Sequence, residues 1–201
     1  MVRKVKVAVL ISGGGTNLQS LIDSCADENF PTDIALVISS KKKAFGLKRA
    51  RNHSIPTVVL RKKDFGTEQE YADEMLKTLK EHHIEIVCLA GYLKLIPSSI
   101  VRCFENRILN IHPALLPKFG GAGMYGMRVH EAVIAAGESE SGPTVHIVDE
   151  VYDHGRIFMQ RKVPVRPDDT PEVLQKRVLA VEHELYPEAL AKLAEEITSK
   201  E

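Results

Sequence analysis

Apolar residues come along this chain in short runs, separated by segments with helical spacing. The runs from Val5 to Ile11, Ile34 to Ile38, Thr57 to Leu60, Ile84 to Ala90 and Arg107 to Ile111 read as buried strands. Between them, Thr16 to Asp27 sets Leu18, Leu21 and Ile22 on one helical side. Ala44 to Asn52 reads as a second helix. Thr67 to His82 is a third, with Tyr71, Met75, Leu76 and Leu79 on its apolar side.

Strand and helix alternate through this whole stretch, which predicts parallel strands with helices on both faces. After Pro117 the rhythm changes. A glycine-rich loop, Phe119 to Gly126, precedes a helix around Val129 to Ala136. Thr144 to Val148 and Ile157 to Val163 read as two strands near enough in sequence to pair antiparallel. Thr170 and Pro171 suit the cap and first turn of a long last helix. The expected fold class is α/β: a single Rossmann-like domain with three αβα layers, mostly parallel, with an antiparallel strand toward the C-terminal part. Ligands of such sheets bind at the carboxyl ends of the strands. Gly13 to Gly15, the Gly91 loop and Asn110 all fall at such ends.

Composition narrows the class of partner. The chain has 201 residues, enough for one sizeable core, with 44% hydrophobic and 27% charged residues. Lys plus Arg and Asp plus Glu are equal at 27 each, which argues for neither nucleic acid nor an anionic membrane as partner. Cys25, Cys88 and Cys103 form no Cys-x-x-Cys pair, and an odd count argues against a disulfide framework. No run approaches the ~20 apolar residues of a membrane span. Met1-Val2-Arg3-Lys4 leads into only a short apolar run, so no signal peptide is expected and the setting expected is cytoplasmic.

Three segments could carry chemistry. In Ser12-Gly13-Gly14-Gly15-Thr16-Asn17 the glycines allow a tight turn, and the helix start offers free N–H groups to an anion, with Thr16 or Asn17 as cap or phosphate donor. No Gly-Lys-Ser/Thr follows, and Leu18 stands where a dinucleotide fingerprint needs its third spaced glycine. The next strand ends in Ser39-Ser40, without an acid for a ribose. A phosphate monoester suits this loop better than a dinucleotide; a plain strand-to-helix turn is the alternative. In Asn110-Ile111-His112, strand periodicity turns the amide and the imidazole to one side. Alone, the pair reads first as two satisfied polar residues at a strand end; aimed at one point, they would form an oxyanion site. Asp149-Glu150-Val151-Tyr152-Asp153 is a solvated turn unless it folds toward His112. A carboxylate there would favour the charged imidazole. Spacing leaves Asp149, Glu150 and Asp153 all eligible.

His53, His82 and His83 read as surface residues, His146 as either a site residue or a satisfied half-buried one, and His130 as a residue at the edge of a pocket. No pair has metal-ligand spacing, so no metal is expected. Without a Gly-x-Ser-x-Gly elbow or a base beside Cys88 or Cys103, covalent catalysis is not expected either.

The stretches VAVLISGGGTNLQSLID, AFGLKRAR, IVCLAGYLKLI, ILNIHPALLP, Gly142 to Gln160 and RVLAVEHELYP, in this order, resemble the folate-dependent phosphoribosylglycinamide formyltransferase family over nearly the whole chain. The resemblance implies one formyltransferase domain over 1–201. Residues 1–105 would form a phosphate-binding half and 106–201 a half for folate and catalysis. It implies formyl transfer from 10-formyltetrahydrofolate, as co-substrate, to the amine of glycinamide ribonucleotide in purine biosynthesis. Gly15, Thr16, Asn17, Leu18 and Gln19 match the phosphate site, and Glu182 matches a glutamate that binds the ribose. Gly91, Leu93, Lys94, Leu95 and Ile96, with Asp149, Glu150, Val151, Tyr152 and Asp153, match segments that hold the folate; Asn110 belongs to that set too. Asn110, His112 and Asp153 match the catalytic trio.

This chain departs from the family pattern at several points. Glu68 stands where the family often has an arginine for the folate tail, and Lys94 where many relatives have arginine. The loop from Gly120 to Met127 is longer than in many relatives, and the chain closes soon after its last helix. The runner-up activity is a 10-formyltetrahydrofolate hydrolase using the same trio. The expected start of the chain at the first strand, without a regulatory domain before it, counts against that reading. A non-catalytic sugar-phosphate binder is a third. The partners implied are the two small substrates, with no nucleic acid and no membrane, and nothing in the sequence excludes a homo-oligomer.

Overall fold

The computed structural model describes residues 3–199, so Met1 and Val2 of the leader reading, and Lys200 and Glu201 at the far end, lie outside the described residues. Seven strands form one sheet in the order β3-β2-β1-β4-β5-β7-β8. β1 (Val5–Ile11), β2 (Thr32–Ser39), β3 (Thr57–Val59), β4 (Ile86–Leu89) and β5 (Ile108–His112) run parallel. β7 (Thr144–Ile147) and β8 (Ile157–Gln160) close the other edge antiparallel. β6 (Glu140–Ser141) and β9 (Val163–Pro164) make a separate two-stranded ribbon.

The alternation within each strand divides the core between the two faces. Val7, Val9, Ile11, Leu109 and Ile111 pack against α1 (Thr16–Cys25), α2 (Gly46–Asn52) and α6 (Pro171–Thr198). Ala8, Leu10, Leu36, Val87 and Ile108 pack against α3 (Glu68–Glu81) and α4 (Ser98–Cys103). Strands covered on both faces need no polar alternation, which is why β1 reads as a continuous apolar run from Val7 to Ile11. Tyr186 of α6 is fully buried, and its hydroxyl lies 3.1 Å from both the Leu89 and Leu109 carbonyls, at the ends of β4 and within β5. That contact pins the long helix to the middle of the sheet.

The expected order of elements holds, with local corrections. The stretch Ile157 to Val163 is not one strand. It breaks after Gln160, where Arg161 donates its backbone N–H to Pro143 O, and Val163 turns instead to pair with Ser141 in the ribbon. α4 has no counterpart in the sequence reading. Neither Thr16 nor Asn17 caps α1: its cap is Gly15, with φ of 71°, and no side chain fills the first turn. α5 (Met127–Ala135) starts two residues before the expected Val129. Thr170 does cap α6, accepting the Val173 N–H, and Thr67 caps α3 in the same way from Glu70.

Candidate active site

A cavity of about 610 Å³ opens at the carboxyl ends of β1, β4 and β5. Its two ends are built differently.

One end is the start of α1. Gly15 takes the left-handed conformation, and a methyl group on it would lie 2.8 Å from Gly46 Cα. The turn is strapped to α2 from behind. Gly46 donates its N–H to Gly13 O at 3.1 Å, and Arg49 donates Nε–H to Gly14 O at 3.0 Å. With two carbonyls held on that side and no side-chain cap, the first-turn N–H groups of α1 are left free for an anion. Thr16 and Asn17 line the cavity, and Asn17 Nδ2 donates to Glu182 Oε2 at 2.6 Å. Burial raises the Glu182 carboxyl above its usual range, with the Asn17 bond opposing. Asn17 Oδ1 is buried without a hydrogen-bond partner among the described residues.

Gly15, Leu18 and Gln19 do not line the cavity. Leu18 is a core residue of α1, and Gln19 turns outward to Asp23, Arg49 and His53.

The other end is the polar cluster on β5. Asn110 and His112 face the same side, as their i, i+2 spacing requires. Asp153 reaches both: Asn110 Nδ2 lies 3.4 Å from Asp153 Oδ1, and His112 Nδ1 lies 3.4 Å from Asp153 Oδ2. Among the three acids of its loop, only Asp153 makes these contacts. Asp149 pairs with His154, and Glu150 pairs with Arg102. Asp153 also accepts the Gly121 N–H at 3.0 Å, which ties the glycine-rich loop to the cluster.

His146 is the residue that sequence reasoning left undecided. It sits opposite Asn110 in the β5–β7 register and is 2% exposed. Asn110 Nδ2 donates to His146 Nε2 at 2.9 Å, which orients the amide. The signal in the sequence was the alternation Val145-His146-Ile147, yet which strand it would face is a tertiary fact. His130 lines the same cavity, and burial takes its pKa down to about 4.

The electrostatics of His112 run opposite to expectation. Asp153 and the Phe119 carbonyl do favour the charged ring, but burial outweighs them and holds the pKa below the usual histidine value. His112 is 3% exposed, and its Nε2–H donates to Phe119 O at 2.8 Å. Both ring nitrogens thus face acceptors, and a neutral ring can donate to only one. Asp153 itself is held below the usual carboxylate range, since its hydrogen bonds and the two neighbouring imidazoles together outweigh its desolvation.

Between the two ends the wall is apolar. Leu93, Leu95, Ile96, Val148, Val151 and Tyr152 supply most of it, with Gly91, Lys94 and Asp149 beside them. Glu150 stands outside the lining. Such a slot, roomy and mostly apolar with a few converging polar groups, suits an organic ligand of drug size.

Comparison with known proteins agrees with this architecture. The formyl transferase family model matches residues 5–190. A chloroplastic phosphoribosylglycinamide formyltransferase of Arabidopsis thaliana is 46% identical over 96% of this chain and 67% of its own length. The trifunctional purine biosynthetic protein adenosine-3 of Drosophila melanogaster is 43% identical over 95% of this chain, which spans only 14% of that protein. The crystal structure of a phosphoribosylglycinamide formyltransferase from Brucella melitensis superposes with a TM-score of 0.88 at 42% identity, covering 96% of both chains. The hydrolase alternative gains no support from these relatives. No helix among the described residues is long and apolar enough to cross a membrane. A likeness that spans the glycine turn, the β5 strand end and the last helix at such identity leads to one conclusion: this chain belongs to the formyl transferase family, among the phosphoribosylglycinamide formyltransferases.

Proposed function

We propose that the chain transfers a formyl group from 10-formyltetrahydrofolate to the primary amine of glycinamide ribonucleotide, a step of purine biosynthesis. The observation that carries this reading is the meeting of Asn110, His112 and Asp153 in one cavity whose far end is the uncapped start of α1. The ribonucleotide phosphate takes the free N–H groups from Gly15 to Leu18; Gln19, matched to this site by the resemblance, gives its own N–H to Gly15 O at 3.0 Å and so closes the turn behind the phosphate. Glu182, held by Asn17, receives the ribose hydroxyls. The pterin lies in the slot formed by Gly91 to Ile96, Asp149 and Val151 to Asp153, while Glu150 points away to Arg102. The division into a phosphate half, 1–105, and a folate and catalytic half, 106–201, then has two crossings: Glu182 serves the first ligand, and Gly91 to Ile96 the second.

In the reaction the amine lone pair adds to the formyl carbon, and the carbonyl electrons move to its oxygen. Asn110 and His112 donate N–H groups to that oxyanion. His112 begins neutral because it is buried. The oxyanion supplies the negative charge that burial withheld, so the ring's pKa rises as the intermediate forms. The proton released by the attacking amine passes by way of the Asp153 carboxylate to Nδ1, the ring nitrogen that faces it, while the Nε2–H stays on the oxyanion. The oxyanion electrons then re-form the carbonyl, the carbon–nitrogen bond to the folate breaks, and the folate nitrogen takes up the proton that His112 and Asp153 held. Entry of the formyl oxygen requires His112 to exchange Phe119 O for it.

The test is a formyl-transfer assay with both substrates, with formate release followed in the absence of the ribonucleotide. Transfer without appreciable hydrolysis is the expected result. Removing one oxyanion donor costs roughly 10²–10³ in rate, so His112→Ala should bind the ribonucleotide and turn over at about that deficit. Near-normal turnover in that variant overturns the assignment of His112. Cys25, Cys88 and Cys103 are free thiols, which accords with a reducing, cytoplasmic setting for the reaction.

A further inference from the structure

Three histidines are buried: His112, His130 and His146. Two of them are bonded, His112 to Phe119 O, and His146 to Asn110 and Ile147 O. His130 lines the cavity and is 2% exposed, yet neither of its ring nitrogens has a hydrogen-bond partner among the described residues. Buried polar groups are nearly always paired, so an unpaired ring in a cavity wall points to a ligand as the missing partner.

The two ring nitrogens differ. Nδ1 is sealed off, which leaves Nε2 as the nitrogen open to the cavity. A buried N–H without an acceptor is costlier than an unused lone pair, so the neutral ring keeps its proton on Nε2. The ring stays neutral, because burial, with His112 nearby, takes its pKa down to about 4. His130 therefore offers the cavity a single uncharged N–H.

Its place in the fold puts it on the ribonucleotide side. Val133 and Ile134, three and four residues on, share its side of α5 and pack with Leu174 and Val178 of α6. α6 also lends Glu182 to the cavity. The apolar slot lies across the sheet, where Tyr92, Ile96 and Val148 belong with the core under α3 and α4. Between Glu182 and the polar cluster on β5, the part of the ribonucleotide left to be held is its glycinamide arm.

We infer that His130 donates its Nε2–H to the carbonyl oxygen of that arm and is a further binding residue for the ribonucleotide. The inference rests on the formyl-transfer reading of the site. The arm presents two acceptors, this carbonyl and the amine lone pair. A donor on the lone pair would block attack on the formyl carbon. A donor on the carbonyl fixes the arm and leaves the lone pair free. Placing a nucleophile acts on rate as well as on binding, since about 1 Å of misplacement costs about a hundredfold.

The experiment has a spectroscopic and a kinetic part. In the unaltered chain, imidazole NMR should show the His130 Nε2 resonance moving when glycinamide ribonucleotide is added alone. Ribose-5-phosphate, which fills the phosphate and ribose positions without the arm, should leave that resonance in place. In the assay, His130→Leu should lower kcat/KM for the ribonucleotide about 10- to 100-fold. KM for 10-formyltetrahydrofolate and inhibition by ribose-5-phosphate should change by less than about twofold. His130→Gln, whose terminal amide brings an N–H to a similar place, should recover most of the loss. The NMR comparison uses the unaltered chain and stands even where a variant folds poorly. An unmoved resonance under saturating ribonucleotide, a His130→Leu protein with the parent's kcat/KM, or one whose ribose-5-phosphate inhibition weakens in step overturns the contact while formyl transfer by the parent stands. An unaltered chain that transfers no formyl group overturns the reading beneath it as well.

Discussion

Gly15→Ala isolates what the glycine turn requires. Gly15 sits at φ of 71°, and a methyl group there would stand 2.8 Å from Gly46 Cα, where real contacts of that kind essentially never occur. The left-handed backbone alone costs about 1–2 kcal/mol for an alanine. Relieving the overlap means parting the turn from α2, which stretches the Gly46 N–H to Gly13 O bond and adds about 1 kcal/mol. The total is about 2–3 kcal/mol, or a melting temperature about 5–10 °C lower for a domain of this size. Gly14→Ala is the matched control. A methyl group on Gly14 would meet nothing within 4 Å, and the residue's φ is not in the left-handed range, so stability should stay within about 0.5 kcal/mol of the unaltered chain. Calorimetry or circular dichroism melts decide the comparison, and a KM measurement for the ribonucleotide follows the displaced Thr16 N–H. A Gly15→Ala protein that melts with the parent, or a Gly14→Ala protein as damaged as it, refutes the account of this turn.

Three further outcomes follow from groups already described. Asp153 pushes the His112 pKa up against burial, so Asp153→Asn should move the His112 titration, followed by imidazole NMR in the unliganded chain, still further below about 6.5; an upward shift contradicts the assigned coupling. Tyr186→Phe strips a buried donor from the Leu89 and Leu109 carbonyls and should destabilise the chain by about 1–3 kcal/mol in denaturant unfolding, without moving the slot residues. Arg177 holds the Asp169 carboxyl down at about 2, a depressed pKa whose stabilisation is complete above the unfolded value of about 3.9 and is lost as the pH falls through the folded one. Asp169→Asn should therefore be less stable than the parent at neutral pH, with the gap closing between about pH 4 and about pH 2 in acid-unfolding curves.

The sequence disclosed most where burial on both faces leaves a simple trace. β1 from Val7 onward, and β4 throughout, are apolar runs because helices cover both of their sides. α4 left no trace because six residues after Pro97, with only Ile100 and Val101 buried, are too few to show a period. The break between β8 and β9 was hidden for a related reason: Arg161 and Lys162 can occur in an edge strand, and only the tertiary partners Glu184, Glu188 and Glu140 show where they point. Within the site, Asn110 and His112 were legible from spacing. The selection of Asp153 over Asp149 and Glu150 was not, since it depends on how the loop folds back. The sign of the His112 shift was missed because it turns on burial, a quantity no local pattern reports.

The antiparallel edge makes the site possible. A purely parallel sheet would place another crossover helix beside β5 and cover the face that carries Asn110 and His112. β7 instead runs down beside β5 from Thr144, opposite His112, to Ile147, opposite Leu109, and Val148 donates its N–H to Ile108 O. The chain therefore leaves β7 at the far end of β5, and its connection to β8 returns across the open face. Gly155 permits the close return, since a side chain there would collide with Ile147 O. Asp153, itself left-handed at φ of 53°, is carried back over the strand that bears the two donors. His146 lies on the same face directly opposite Asn110, so one reversal of direction supplies both the carboxylate that faces His112 and the ring that orients the amide. The glycine turn needs only the parallel half of the sheet. The polar cluster needs the reversal, and the cavity exists where the two meet.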